Sequence, residues 1–374
     1  MPREIGNLGK IRDDLPVEAR EIFDRMFELS ITAGESKVRT ALIPWVMERF
    51  GSLETIETQR VARVDNLVTG EGALFNELRT KRPIQVKPVD VEARIEAEKK
   101  DCDFCLPFEK TRTPIDILSG EIKRQLPNGD EVFLIATLAK YDARHSQIIC
   151  PPRHHPYRKI TEALVENWFS IAEEWYQKVH QKDPQALFPV FGLNILWNAG
   201  ASIIHPHPHV ILARKRHYPP IALFNRLRLQ YEAEHHSDYF DDLFKVHLAL
   251  GLATEKLDTR VIANLVPRKE KEIVVIAPHA TRGCVSKNFI SILWRLINCF
   301  VRDLGVQSFN LAVLFPPLEE SEDWKGFPVV AHLLDRGSLA TDTADIGLME
   351  LYFSSVVASD PFKVFPDIKE SLGI

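Results

Sequence analysis

Residues 198–212 read NAGASIIHPHPHVIL and set His205, His207 and His209 at every-other spacing, in a chain with 13 histidines among 374 residues. Alternation is the side-chain period of an extended strand, so the three imidazoles are expected on one face. Pro206 and Pro208 between them remove two backbone donors, which points to an edge or irregular strand with a stiffened backbone. Three readings follow: a metal-binding row, a histidine nucleophile for a phosphorus centre, or a histidine-rich surface turn. Just upstream, Gly200 and Ser202 can present backbone N–H groups and a hydroxyl to a phosphate.

Outward from this stretch the chain repeats itself. Thr161 is placed to cap a helix with apolar residues at Leu164, Trp168, Ile171, Trp175 and Val179. Ser286 is placed to cap another, with Phe289, Leu293, Leu296, Phe300 and Leu304, closed by Gly305. The strands FGLNILW (191–197) and FNLAVLF (309–315) follow the two helices; SQIICPP and EIVVIAP precede them. The histidine strand comes last in the first copy, and FPVVAHLLD, which keeps His332, in the second. The same elements in the same order, roughly 120 residues apart, predict a duplicated α+β unit with helices packed on antiparallel sheet. Residues 1–60 are expected to form an N-terminal helical extension through PVEAREIFDRMFELS and SKVRTALIPWVMERFG, the second ending at a glycine. The two halves then occupy 61–218 and 219–374.

Composition narrows the function classes. The formal charge of −5 is mixed in sign along the chain, without the clustered basic footprint of a nucleic-acid binder. Apolar runs fall short of the ~18 residues that span a bilayer, and the start, MPREIGNLGKIRDD, has no signal-peptide core. The expectation is a soluble, cytoplasmic protein. Five cysteines make an odd count in a chain of this length, which argues against a disulfide framework.

Cys102 and Cys105 in DCDFC have the spacing with which one backbone turn aims two thiolates at a tetrahedral zinc. Two further ligands must come from elsewhere, with His154 and His155 in PPRHHP and His205 as candidates. Free, partly buried thiols are the simpler reading. A redox pair lacks its usual βαβ context.

Taken together, GASIIHPHPHVIL, CDFC and the duplicated unit resemble galactose-1-phosphate uridylyltransferases, within the histidine-triad superfamily. The family pattern Gly-x-Ser-x-x-His-Pro-His appears as Gly200, Ser202, His205, Pro206 and His207. DNLVTGEGALFNELRTKRP (65–83) looks like the family's N-terminal block, and PRHH like its Pro-x-His turn. The resemblance implies duplicated histidine-triad-like units and zinc held by Cys102, Cys105, His154 and His205. It also implies His207 as the nucleophile of a double displacement, its ring bonded to the His205 carbonyl. Arg79, Ser202 and Asn198, with Gly200 in the same loop, would contact the donor's nucleotide or phosphates. Related transferases suggest a homodimer.

Where the family has glutamine two residues after the nucleophile, this chain has His209, which can donate a hydrogen bond or serve as an acid or base. The family's sugar-contacting Glu and Gln are replaced within GLMELYFSS, by Met349 and Ser355. The leading expectation is a nucleotidyltransferase of the UDP-glucose–hexose-1-phosphate uridylyltransferase type, with a place in galactose and carbohydrate metabolism. A histidine-triad nucleotide hydrolase, or a dinucleotide or nucleotide-sugar phosphorylase, is the alternative. A non-catalytic zinc-stabilised binding protein is a third, and it leaves His207 unexplained.

Overall fold

The computed structural model describes residues 3–81, 87, 89–105, 114–150, 159–278, 282–341 and 347–374. Its helices are α1 (Leu8–Asp13), α2 (Val17–Met26), α3 (Ile43–Phe50), α4 (Glu54–Glu57), α5 (Val91–Lys99), α6 (Glu162–Lys182), α7 (Pro219–His235), α8 (Tyr239–Leu250), α9 (Lys287–Arg302) and α10 (Pro361–Leu372). Its strands are β1 (Phe27–Glu35), β2 (Thr58–Asn66), β3 (Gly72–Phe75), β4 (Lys123–Gln125), β5 (Glu131–Ala136), β6 (His145–Ile149), β7 (Ala186–Ile195), β8 (His209–Arg214), β9 (Ala253–Lys256), β10 (Thr259–Ala263), β11 (Glu270–Ala277), β12 (Phe309–Leu314), β13 (Val329–Asp335) and β14 (Ser354–Val357).

The duplication is present in the folded chain. Thr161 caps α6 by accepting from the Leu164 N–H, and Ser286 caps α9 by accepting from the Phe289 N–H, satisfying donors that a helix start otherwise leaves open. Each helix follows one strand and precedes two, giving β6–α6–β7–β8 and β11–α9–β12–β13. The main sheet has ten strands in the order β4-β5-β6-β8-β7-β12-β13-β11-β10-β9. All its pairings are antiparallel. The second five strands retrace the first five in reverse, which is the order produced when two copies join edge to edge about a pseudo-two-fold axis.

Side-chain alternation separates the two faces. In β7, Phe191, Leu193 and Ile195 are buried while Val190, Gly192 and Asn194 are half-buried. The buried set belongs to a core shared with Trp168 and Trp175 of α6 and with Phe289, Leu293 and Leu296 of α9. The two helices are in contact, and the Trp294 indole of α9 donates to the Ile160 carbonyl at 3.0 Å. The other face of the central strands stays more open, with Ala312 exposed in β12.

The first 60 residues differ from the expected helical pair. Helix α2 stops at Met26, and Phe27 turns to extended φ −134 and ψ 139. From there β1 pairs with β2 along its whole length, Phe27 opposite Asn66 through Glu35 opposite Thr58. The apolar residues Phe27, Leu29, Ile31 and Ala33 have a period of two, and the β-branched Ile31 and Thr32 favour strand. The second helix begins only at Ile43, with Pro44 in its first turn and Gly51 closing it at φ 83, the positions each prefers. A second sheet, β1-β2-β3-β14, joins this region to the far end of the chain, because β14 lies parallel to β3. The boundary expected at residue 60 therefore falls inside β2. Among the described residues no helix is long and apolar enough to cross a membrane.

Candidate active site

The histidine stretch enters the sheet at its last member. His209 opens β8, opposite Gln147 of β6 on one side and Gly192 of β7 on the other. His205 and His207 precede the regular ladder, where Pro206 and Pro208 supply no donors; the Pro208 carbonyl still accepts from the Ile148 N–H at 3.0 Å. All three histidines are buried.

Their surroundings divide them. The His205 Nδ1 lies 3.7 Å from Cys102 Sγ and 3.7 Å from Cys105 Sγ. These three form a group of ligand atoms within 4.8 Å of one another, which can hold a metal ion. A hydrogen bond from Cys105, then interaction with His205, draws the Cys102 thiol far below its ordinary range against the opposing effect of burial. Such a thiol is a ready metal ligand. His154, the expected fourth ligand, lies outside the described residues.

His207 has a different partner. Its Nδ1 is 2.6 Å from the His205 carbonyl oxygen. A carbonyl only accepts, so Nδ1 carries the proton and Nε2 keeps its lone pair. Burial, chiefly, lowers the His207 pKa to about 4, despite the raising effect of that backbone hydrogen bond. The ring is therefore neutral at pH 7. Phe104, from the middle of the cysteine knuckle, meets it in a T-shaped contact with ring centroids 5.0 Å apart.

His209 belongs to a further cluster. Its Nδ1 is 3.0 Å from His145 Nε2, with Gln147 Nε2 approaching the same nitrogen at 3.4 Å. Tyr141 stacks on both imidazoles, at 4.6 Å from His145 and 5.3 Å from His209. Burial lowers His209 to about 3, aided by the neighbouring His207 and His145, and His145 to about 4, aided by Lys140.

Other expected contacts gather at the seam between the halves. Arg79 and Asn198 line a cavity of about 510 Å³ together with Arg268, Arg336, Met349 and Ser355 from the second half. The Asn198 amide donates to the Ser338 carbonyl at 3.0 Å. The triad histidines are not among the lining residues. A polar track runs beside the cavity: the Asn310 amide donates to Asn194 Oδ1 at 2.7 Å and to the Ala199 carbonyl at 2.9 Å, and Arg336 donates to Asn310 Oδ1. Gly200 has φ 87, and a Cβ there would meet nothing within 4 Å. Backbone conformation, not crowding, is what favours glycine at this point. Ser202 is exposed.

The second half has its own imidazole. His332 Nδ1 sits 2.9 Å from Glu272 Oε1 and 3.1 Å from Arg268 Nη1. Burial would raise the Glu272 pKa, but the hydrogen bond to His332 and the charge of Arg268 hold it at about 2. His145, Gln147, Tyr141, Phe104 and Glu272 were not singled out from the sequence. The available signal was the alternation of His145 with Gln147 ahead of the apolar run in β6.

No protein-family model matches the sequence. A stretch of 137 residues is 26% identical to an uncharacterised protein of Archaeoglobus fulgidus, covering 36% of this chain and 39% of that one. In three dimensions the chain is similar to an ADP-glucose phosphorylase from Arabidopsis thaliana with bound ADP-glucose, at TM-score 0.60 and 16% identity over 81% of this chain and 96% of that one. It is equally similar to a GalT-like protein from Arabidopsis thaliana, at TM-score 0.60 and 16% identity over 82% and 97% of the two chains. A uridylyltransferase follows at TM-score 0.53 and 12% identity, over 83% and 98%. The chain thus shares the fold of these GalT-like and uridylyltransferase structures, with two repeated α+β units joined in one sheet.

Proposed function

We propose that this protein transfers a nucleoside monophosphate from a nucleotide-sugar or related donor through a covalent intermediate on His207. The observation that carries the reading is the Nδ1 bond of His207 to the His205 carbonyl at 2.6 Å, which leaves Nε2 as an unprotonated, neutral nucleophile. In the first step the Nε2 lone pair attacks the α-phosphorus, a P–N bond forms, and the P–O bond to the sugar phosphate breaks with its electrons on the departing oxygen. In the second step an acceptor oxygen attacks the same phosphorus, and the bonding pair returns to Nε2. Nδ1–H donates to the carbonyl throughout, so the positive charge on the phosphorylated ring is stabilised where it develops.

Cys102, Cys105 and His205, with His154, would hold zinc. In a tetrahedral site with Zn–S about 2.3 Å and Zn–N about 2.0 Å, sulfur and nitrogen stand roughly 3.5 Å apart, close to the 3.7 Å found for both cysteines. Bound there, zinc would be structural, fixing the residue whose carbonyl orients the nucleophile. Arg79, Asn198, Gly200 and Ser202 would contact the donor's nucleotide and phosphates. A UDP-glucose–hexose-1-phosphate specificity, a homodimer and a cytoplasmic location belong to the same reading. So does a role in galactose metabolism.

A phosphorylase or hydrolase is the second reading, favoured by His209 at the position of the family's glutamine and by the fold likeness to an ADP-glucose phosphorylase. The test is incubation with UDP-glucose or ADP-glucose labelled at the α-phosphorus. Acid-labile label on His207, lost in His207→Ala, is expected. Normal transfer by His207→Ala would sink the reading, and a strict requirement for inorganic phosphate would select the phosphorylase.

A further inference from the structure

The hydrogen-bond chain that ends at His209 has a fixed direction. It starts at the Tyr141 backbone N–H, which donates to His145 Nδ1 at 3.0 Å. A backbone N–H always donates, so His145 Nδ1 carries no proton. Neutral His145 must then carry its proton on Nε2, and that nitrogen lies 3.0 Å from His209 Nδ1. His209 Nδ1 is thereby an acceptor, which places the His209 proton on Nε2. The Lys140 ammonium donates to the His145 carbonyl at 2.7 Å, and the Tyr141 ring stacks on both imidazoles. Both contacts hold the chain in register.

We infer that His209 is a fixed hydrogen-bond donor, not a general acid or base, and that His145 is the positioning residue that fixes its tautomer. The chain cannot pass a proton. If His209 gave up its Nε2 proton and took one at Nδ1 from His145, His145 would be left with neither nitrogen protonated, as an imidazolate. It could not be reprotonated from behind, because a peptide N–H does not supply protons at neutral pH. His209 therefore offers Nε2–H to a phosphoryl oxygen beside His207, whose ring centroid is 5.0 Å away. That is the service a glutamine amide can provide from the same position. The chemistry needs no more from it: a departing sugar phosphate leaves as its own anion, and a phosphate acceptor is already an oxyanion.

The inference rests on nucleotidyl transfer at His207 for its catalytic meaning, but the tautomer can be read without turnover. Long-range ¹H–¹⁵N correlation on the full chain labelled with ¹⁵N-histidine, assigned with His145→Gln and His209→Gln, should show both residues protonated at Nε2 and bare at Nδ1 at pH 7. A His209 protonated at Nδ1 overturns the inference whatever the enzyme does. In the labelling assay with ADP-glucose or UDP-glucose, His209→Ala should lose roughly 100-fold in rate, the scale of one lost transition-state donor. His209→Gln should keep most of the rate with an unchanged pH profile. His145→Phe should resemble His209→Ala, and His145→Gln, which restores a donor, should recover. A His209→Gln as defective as His209→Ala would establish proton transfer and overturn the inference. If the unaltered protein takes no label, nucleotidyl transfer at His207 fails while the tautomer measurement still stands.

Discussion

Leu193 of β7 lies directly opposite Leu311 of β12, and each is the third residue of its copy of the repeated strand, FGLNILW and FNLAVLF. A residue that pairs with its own counterpart marks the pseudo-two-fold axis, so the ten-stranded sheet turns about this pair. Continuing the register outward, Gly192 pairs with His209 and Asn310 with Leu334, which makes His332 the counterpart of His207. One half presents that imidazole to the carbonyl of His205; the other pairs it with Glu272.

Both leucines at the axis are buried. Leu193→Ala and Leu311→Ala should each destabilise the fold by about 2–5 kcal/mol. Because the side chains are neighbours across the ladder, the double variant should depart from additivity. Urea denaturation of the four proteins checks this, and strictly additive losses would mean that the two side chains do not interact across the ladder.

For the metal we predict about one equivalent of zinc per chain by elemental analysis, lost in Cys102→Ser together with about 5–10 °C in Tm. Label on His207 should fall too, since the carbonyl that orients it belongs to His205. A metal-free protein with undiminished stability and labelling would remove the zinc from the account.

Glu272 gives the fold a pH signature. Its folded pKa of about 2 lies below the ordinary 4.5, so its contribution is fully present above about pH 4.5 and is lost as the pH falls toward 2. The contribution is at most about 3 kcal/mol. Glu272→Gln should be less stable at pH 7, and the gap between the two proteins should close as the pH falls. A gap that stays constant down to pH 2.5 contradicts the assignment.

Arg79 faces the cavity between the halves. If it contacts donor phosphate, Arg79→Ala should raise KM for the donor about 10-fold, the scale of one charged hydrogen bond. Melting temperature should be unchanged. A kcat-only effect would move Arg79 out of donor binding.

Legibility in the sequence followed the range of the interactions. The caps Thr161 and Ser286 and the strand FGLNILW are local, and they stood out from the sequence. The separate roles expected of His205 and His207 came from the family resemblance that their neighbours and CDFC carry. Strand β1 was hidden because the helical run of α2 continues through Ile22, Phe23 and Met26 into Phe27, and its partner β2 lies beyond the two intervening helices α3 and α4. His145 was hidden for the same reason: its contact with His209 spans 64 positions, and nothing near it in the chain announces the bond. Glu272 reads as one charge before an apolar strand until Arg268 and His332 surround it.

The parallel pairing of β3 with β14 sets an order of events during synthesis. Gly72–Phe75 leaves the ribosome early, yet its partner Ser354–Val357 arrives only after both repeat units have been made. Until then one edge of β3 is an open template for other strands. Late closure of so long a loop makes this small sheet a slow step in folding, and the half-finished chain the species most exposed to misassociation.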